Sequence, residues 1–195
     1  MRSFEARPLL SHHTAGMTAG MRTLADIDWG SWKATDQATL VFVTDSARVL
    51  LMHKKRGLGA GKINAPGGRI EPGETPHAGA IREVQEELCV TPEVLTKHGE
   101  LSFQFIDGYS IFVHVFRANA FSGVPIETAE ARPLWTAIDR IPYAAMWQDD
   151  ALWVPKLLSQ AYFSGRFLFD QESMLDYELL DVASAECLHD AHTVP

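Results

Sequence analysis

Cysteine is scarce: only Cys89 and Cys187 occur in 195 residues. Two cysteines cannot build a disulfide framework, so a hydrophobic core must carry the fold, and a reducing, cytoplasmic compartment is expected. No apolar run approaches the roughly 18 residues of a membrane span, so no membrane partner is expected. Positive charge is short as well, with 17 Lys and Arg against 25 Asp and Glu and a net charge of −8. Such a chain lacks the general field with which non-specific nucleic-acid binders hold phosphates, which argues against a duplex partner. Internal repeats and low-complexity segments are missing too, which excludes solenoid arrays.

What remains is ordinary globular usage, 46% hydrophobic and 22% charged, in a length suited to one domain with extensions. Arg2, Arg7 and Arg22 among Ser and Thr give the N-terminus a slight transit-peptide character, but Glu5, Asp26 and Asp28 favour an arm, with Met17 and Met21 as alternative starts. The expected organisation is an arm without fixed structure over 1–37, a domain over 38–180 and a tail over 181–195.

Thr39–Thr44 and Arg48–Met52 are β-rich runs joined by Asp45-Ser46, which predicts a hairpin. A glycine-dense stretch from Gly57 to Gly73 is long for an idle connection. From Pro76 to Leu88 the pattern is helical, with Thr75 as N-cap, Pro76 in the first helical position, and Ile81, Val84 and Leu88 on one face. Leu101–Phe105 and Tyr109–Phe116 flank Asp107-Gly108, a dipeptide suited to the positive φ of a hairpin turn. An apolar run at Leu134-Trp135 precedes a second helix expected over Asp150–Tyr162, and strands are expected at Arg166–Phe169 and Asp176–Leu180. Hairpins mixed with two helices imply an α/β (α+β) fold, a mixed sheet with helices on its faces.

On the first helix Glu83, Glu86 and Glu87 share an arc of about 100°. Acids at this spacing commonly form a solvated face. Three on one arc repel, however, and Arg82 offsets only part of that, which gives a hard cation a reason to bind. Deleting one charge, at Glu86 or Glu87, should relieve that repulsion. Gly57 to Lys62 fits neither the dinucleotide nor the P-loop spacing, and Ile63 stands at the P-loop hydroxyl position. Cys187, His189 and His192 lack a fourth ligand at zinc spacing, and His114 reads as a hydrogen-bonded strand residue.

Gly68, Glu74 and the run Arg82-Glu83-Val84-Gln85-Glu86-Glu87-Leu88-Cys89-Val90 together resemble the Nudix box of hydrolases that cleave a nucleoside diphosphate linked to another group. The one departure is Cys89, where that family carries the glycine that ends the helix. Lys54 to Asn64, Gly67-Gly68, Val113 to Phe116, Glu130 to Pro133, Trp147 to Asp150 and Leu175 to Tyr177 are similar, in order and approximate spacing, to the MutT-homologue branch. That branch hydrolyses oxidised purine nucleoside triphosphates, such as 8-oxo-dGTP and 2-hydroxy-dATP, and the similarity spans roughly Thr39 to Leu180.

The resemblance implies an α/β/α sandwich and a Mg²⁺-dependent enzyme, with Mn²⁺ as an alternative ion. It implies hydrolysis to the monophosphate and pyrophosphate, which cleanses the nucleotide pool and avoids DNA damage, by a monomer whose partner is a small nucleotide. Metal ligands carry over to Glu83, Glu86, Glu87, the Gly67 carbonyl and Glu130, and supporting catalytic roles to Glu74 and Arg82. Substrate contacts carry over to Thr39, Lys54, Asn64, Pro66, Gly67, Gly68, Phe103, Trp147, Asp149 and Asp150. Without the resemblance Asp149-Asp150 reads as a helix cap and Trp147 as core packing. Leu58 replaces an aromatic of the branch, Ile63 a Trp, and Ala65-Pro66 a Gly-Phe pair. These departures leave two alternatives open: hydrolysis of another nucleotide derivative, such as a dinucleoside polyphosphate, or a silent nucleotide-binding module.

Overall fold

The computed structural model describes residues 20–188. Its centre is one mixed sheet built from β1 (Asp36–Thr44), β2 (Arg48–Lys54), β3 (Ile63–Asn64), β4 (Val90–Phe105), β5 (Ser110–Gly123), β6 (Ala131–Ala137), β7 (Tyr162–Asp170) and β8 (Ser173–Val182). The order is β3-β2-β1-β5-β4-β7-β8, with β6 also paired to β2. β1 runs parallel to β5, and β4 parallel to β7; the other pairings are antiparallel.

The continuous apolar runs in β1 and β2 follow from burial on both faces. In β1, Val41 and Val43 pack with Ala80, Val84 and Leu88 of α1 (Pro76–Leu88), while Phe42 packs with Trp153, Val154 and Leu157 of α2 (Asp150–Leu158). Leu50 and Met52 of β2 join the first cluster, and Val49 and Leu51 the second. The period-2 alternation of the strands thus sorts one apolar run into two cores, one beneath each helix.

Helix α1 begins as the sequence implies: Thr75 Oγ1 accepts from the Ala78 N–H at 3.2 Å, and Pro76 opens the first turn. It ends at Cys89, held in the left-handed region at φ 59°, ψ 29°, with its N–H donating to the Gln85 carbonyl. Both expected hairpins form, but β4 begins at Val90, directly after the helix, and β5 runs to Gly123. Thr91-Pro92-Glu93 and Lys97-His98-Gly99 conceal the first half of β4; Val94 sits at φ 53° and the register shifts between Lys97 and Gly99. The second helix is shorter than expected. It stops at Leu158, Gln160 turns left-handed at φ 64°, the Ala161 N–H closes on the Lys156 carbonyl, and Tyr162 already belongs to β7.

The described part of the N-terminal arm packs on the sheet from a 3-10 turn at Leu24–Asp26 onward. The tail boundary is not a structural break, because β8 continues to Val182 and Leu188, at the end of a 3-10 turn, is fully buried. Residues 1–19 and 189–195, with Arg2, Glu5, Arg7, His189 and His192, lie outside the described residues. Among the described residues no helix is long and apolar enough to cross a membrane.

Candidate active site

One cleft gathers most of the residues singled out in the sequence. Thr39, Lys54, Asn64, Gly67, Gly68, Phe103, Trp147, Asp149 and Asp150 all line it, together with Leu58, Phe105 and Trp153. Pro66 does not. Its carbonyl accepts from the Val41 N–H at 2.9 Å, so this residue fastens the loop to β1 and forms no part of the wall.

Behind the Lys54, Gly67 and Gly68 end of the cleft wall, where Glu74, Arg82, Glu83, Glu86, Glu87 and Glu130 do not themselves line the cleft, the α1 carboxylates are organised by two cations. Arg82 is the hub: Nε and Nη2 donate to the two Glu74 oxygens at 2.9 and 2.8 Å, and Nη1 donates to Glu83 Oε1 at 2.7 Å and to Glu86 Oε2 at 3.3 Å. Nη2 also reaches the Arg69 carbonyl at 2.9 Å, which ties the glycine-rich loop to the helix. The bidentate contact with Arg82 holds the Glu74 carboxyl below its ordinary range. Burial pushes the Glu83 carboxyl up to about 7, a shift that the Arg82 contact opposes and the Glu87 and Glu86 charges reinforce. A Cβ on Gly68 would lie 2.4 Å from Glu83 Oε2, so only glycine allows the loop to approach this carboxylate so closely.

Glu87 is buried, and both of its oxygens are engaged. Lys54 Nζ donates to Oε1 at 2.9 Å and the Gly67 N–H to Oε2 at 2.8 Å. Burial raises its pKa against the pull of Lys54. The expectation that removing this charge only relieves repulsion is therefore corrected, since neutralising Glu87 would also break its buried ion pair with the Lys54 ammonium.

Thr128 joins the Glu130 segment to α1. Its hydroxyl donates to the Glu87 carbonyl at 2.9 Å and accepts from the Glu130 and Ala131 N–H groups at 3.1 and 3.2 Å. The Ile126 N–H caps the Leu88 carbonyl at 3.2 Å, so this segment satisfies two carbonyls of the last helical turn. Among the described residues no three His, Cys, Asp or Glu side chains converge in metal-ligand geometry. The donor set is nonetheless of the right chemistry: like-charged oxygen donors, two of them desolvated, beside a loop that glycine keeps open.

At the other end Asp149 and Asp150 are both 2% exposed. Their reading as a helix cap holds in position only: Asp149 is the N-cap residue of α2, but neither side chain makes a capping hydrogen bond, since Asp149 Oδ2 accepts from Trp153 Nε1 at 2.8 Å and Asp150 Oδ2 from the Trp147 N–H at 3.0 Å. Burial pushes Asp149 up to about 6 and Asp150 well above its ordinary value, the latter also through the Asp149 charge. Asp149 Oδ1 and Thr39 Oγ1 are buried with no hydrogen-bond partner, and both residues line the cleft. Asn64 Oδ1 accepts from the Ala65 N–H at 2.9 Å, which leaves the side-chain NH₂ as the donor end of the amide. Phe103 stacks on Phe167 with centroids 5.2 Å apart, and Trp147 meets Phe169 edge-on at 5.8 Å.

Three contributors escape a reading of the sequence. Trp153 lies four residues after Asp149, a helical spacing that offered a signal. Lys62, 5.1 Å from the Trp147 ring centroid and 3.0 Å from Glu172, and Thr128 depend on contacts distant in sequence and offered none.

Residues 34–157 match the NUDIX domain. The chain belongs to the Nudix family. Similar Nudix proteins include "Oxidized purine nucleoside triphosphate hydrolase" of Mus musculus, 45% identical over 148 residues, 75% of this chain and 95% of that protein. The protein of the same name in Danio rerio is 44% identical over 144 residues, 73% of this chain and 92% of that protein. Among solved structures, the MutT protein from Bacillus halodurans superposes with a TM-score of 0.66 at 28% identity, covering 74% of this chain and 97% of that one.

Proposed function

We propose that this Nudix chain hydrolyses oxidised purine nucleoside triphosphates to the nucleoside monophosphate and pyrophosphate. The reading adds a monomer in the cytoplasm that keeps oxidised precursors out of DNA. One observation carries it: a single cleft runs from Gly68, against the Glu83 carboxylate, to the buried Asp149-Asp150 pair beside Trp147. A triphosphate and its base need those two chemistries in one continuous space. The names of the mouse and zebrafish relatives support the substrate class.

At the phosphate end Arg82 fixes Glu74, Glu83 and Glu86 relative to the loop, and Lys54 with the Gly67 N–H fixes Glu87. Glu83, Glu86 and Glu87, with Glu130 and the Gly67 carbonyl, would hold Mg²⁺ or Mn²⁺. A bound ion there supplies neutralisation of phosphate oxygens and a lowered pKa for the attacking water. At the base end two carboxyls raised by burial cannot easily both ionise, so the pair offers one donor and one acceptor near neutral pH. Asn64 adds an amide donor, and Trp147 with Phe103 and Phe105 supplies apolar ring surface for the base.

Chromatography of the products from 8-oxo-dGTP tests this reading. 8-oxo-dGMP and pyrophosphate are expected, while 8-oxo-dGDP with orthophosphate, or no turnover, would overturn it. Gel filtration tests the monomer, which a dimer-sized peak would contradict.

A further inference from the structure

The Nudix match begins at residue 34, yet the chain before it is fastened to β4, β5, β7 and β8, of which β4 and β5 supply residues that line the cleft. The Leu24 N–H donates to Asp176 Oδ2 of β8 at 2.8 Å. Trp29 Nε1 donates to the Leu24 carbonyl at 3.0 Å, the Arg166 guanidinium of β7 lies 4.8 Å from the Trp29 ring centroid, and Trp29 packs on Trp32 with centroids 5.4 Å apart. Trp32 Nε1 then donates to Gln104 Oε1 of β4 at 2.8 Å. The Gln104 NH₂ in turn donates to the Phe105 and Tyr109 carbonyls at 2.9 and 3.1 Å, the two ends of the β4–β5 turn. Three residues later Thr35 closes on Ser110, its N–H donating to the carbonyl at 3.1 Å and to Oγ at 3.0 Å.

Strand alternation gives this fastening its effect on the cleft. Gln104 stands between Phe103 and Phe105, so it faces the strap while its two neighbours face the cleft. Phe105 packs on Phe169, with centroids 5.8 Å apart, and Phe169 on the edge of Trp147. The Ile106 N–H donates to the Phe169 carbonyl at 3.0 Å, which ties the same turn to β7. A displacement of the turn therefore moves an aromatic wall of the cleft. Gln104 is buried, and Trp32 is the donor that satisfies its carbonyl oxygen.

We propose that Trp32 and Gln104 are positioning residues for the base end of the cleft, through which segment 24–36 holds the β4–β5 turn and sets how tightly a purine base is received. The inference rests on the substrate class proposed above, and it gives residues upstream of the Nudix match a role in substrate affinity. Neither residue lines the cleft, so both act through Phe103, Phe105 and Phe169 and touch no reacting atom.

Trp32→Phe keeps an aromatic ring against Trp29 but removes the indole N–H that Gln104 accepts, together with part of the ring surface. It should raise KM for 8-oxo-dGTP roughly tenfold while kcat stays within about twofold, since binding is loosened and the phosphate end is untouched. In a Gln104→Met background the same substitution should add no further change in KM, as expected if Trp32 acts through Gln104. Amide hydrogen exchange reads the strap without substrate. The Phe105 and Gly108 N–H groups, bonded to the Tyr109 and Phe105 carbonyls, should exchange about tenfold faster in Trp32→Phe while α1 amides keep their protection. A variant with lowered Tm but unchanged KM and unchanged exchange at Phe105 and Gly108 would make the strap merely structural and overturn the proposal. Faster exchange in a chain whose wild type ignores 8-oxo-dGTP would instead leave the strap standing and overturn the substrate reading.

Discussion

Cys89→Gly removes a side chain from a position that the backbone holds at φ 59°, ψ 29°. A Cβ in the left-handed region costs about 1–2 kcal/mol through its clash with the following carbonyl. Glycine gives back about 0.5–1 kcal/mol of that gain, because its unfolded chain has more freedom to lose. Cys89 is exposed and its thiol forms no disulfide, so no packing is sacrificed. The net expectation is a stabilisation of about 0.5–1 kcal/mol, which for a chain of this length corresponds to a rise of about 1–4 °C in Tm. Thermal melting followed by circular dichroism, with guanidinium titration to verify an unchanged m-value, measures it. Turnover should not change, since the thiol lies outside the cleft. A fall in Tm would show that the helix end is held by something other than a strained C-cap, and would refute the reasoning.

Glu86→Gln and Glu87→Gln should separate in melting experiments although both lower activity. Glu86 is 53% exposed with one 3.3 Å contact to Arg82, so its Tm should stay level, whereas Glu87→Gln takes the negative charge out of the buried Lys54–Glu87 pair and should lower Tm, at a cost of up to about 3–5 kcal/mol; equal melting of the two would contradict the buried pair. Asp149, raised to about 6, binds its proton more tightly in the folded than in the unfolded chain. Its contribution to stability is therefore present below about pH 4 and lost as pH rises through the folded value. Asp149→Asn should flatten the decline of Tm between about pH 4 and 6, and parallel wild-type and variant curves would argue against the shift. Leu58→Phe restores a ring at the rim of the cleft and should lower KM for 8-oxo-dGTP by about twofold to tenfold, read from initial rates, if the base stacks there; an unchanged or raised KM would place the base elsewhere.

Local rules made much of this molecule readable. Thr75 and Pro76 marked the start of α1, its apolar stripe marked the buried face, and the Asp107-Gly108 turn gave the β4–β5 hairpin. The cluster of Arg82, Glu83 and Gly68 beside the cleft was readable because its parts lie within one loop and one helix. Where the sequence misleads, long-range pairing has overridden local preference. Thr91-Pro92-Glu93 lies in a strand because β5 pairs with it across a bulge, and α2 stops without glycine because Gln160 accepts a left-handed conformation. Asp149-Asp150 has the composition of a cap, yet Trp153 and the Trp147 amide draw both carboxyls into buried contacts instead. Lys54 looks like a free substrate cation until the fold brings it against Glu87, thirty-three positions away.

The central claim is that one cleft couples phosphoanhydride hydrolysis at the Glu83 end to base recognition at the Asp149-Asp150 end. Its most direct test is kcat/KM for 8-oxo-dGTP and for dGTP, measured with Mg²⁺ on the wild type, Asp149→Ala and Asn64→Ala. The wild type should prefer the oxidised nucleotide, and each variant should lose about 1–3 kcal/mol of that preference while keeping the same Mg²⁺ dependence. Equal kcat/KM for the two nucleotides in the wild type, or a preference untouched by both substitutions, would contradict the account.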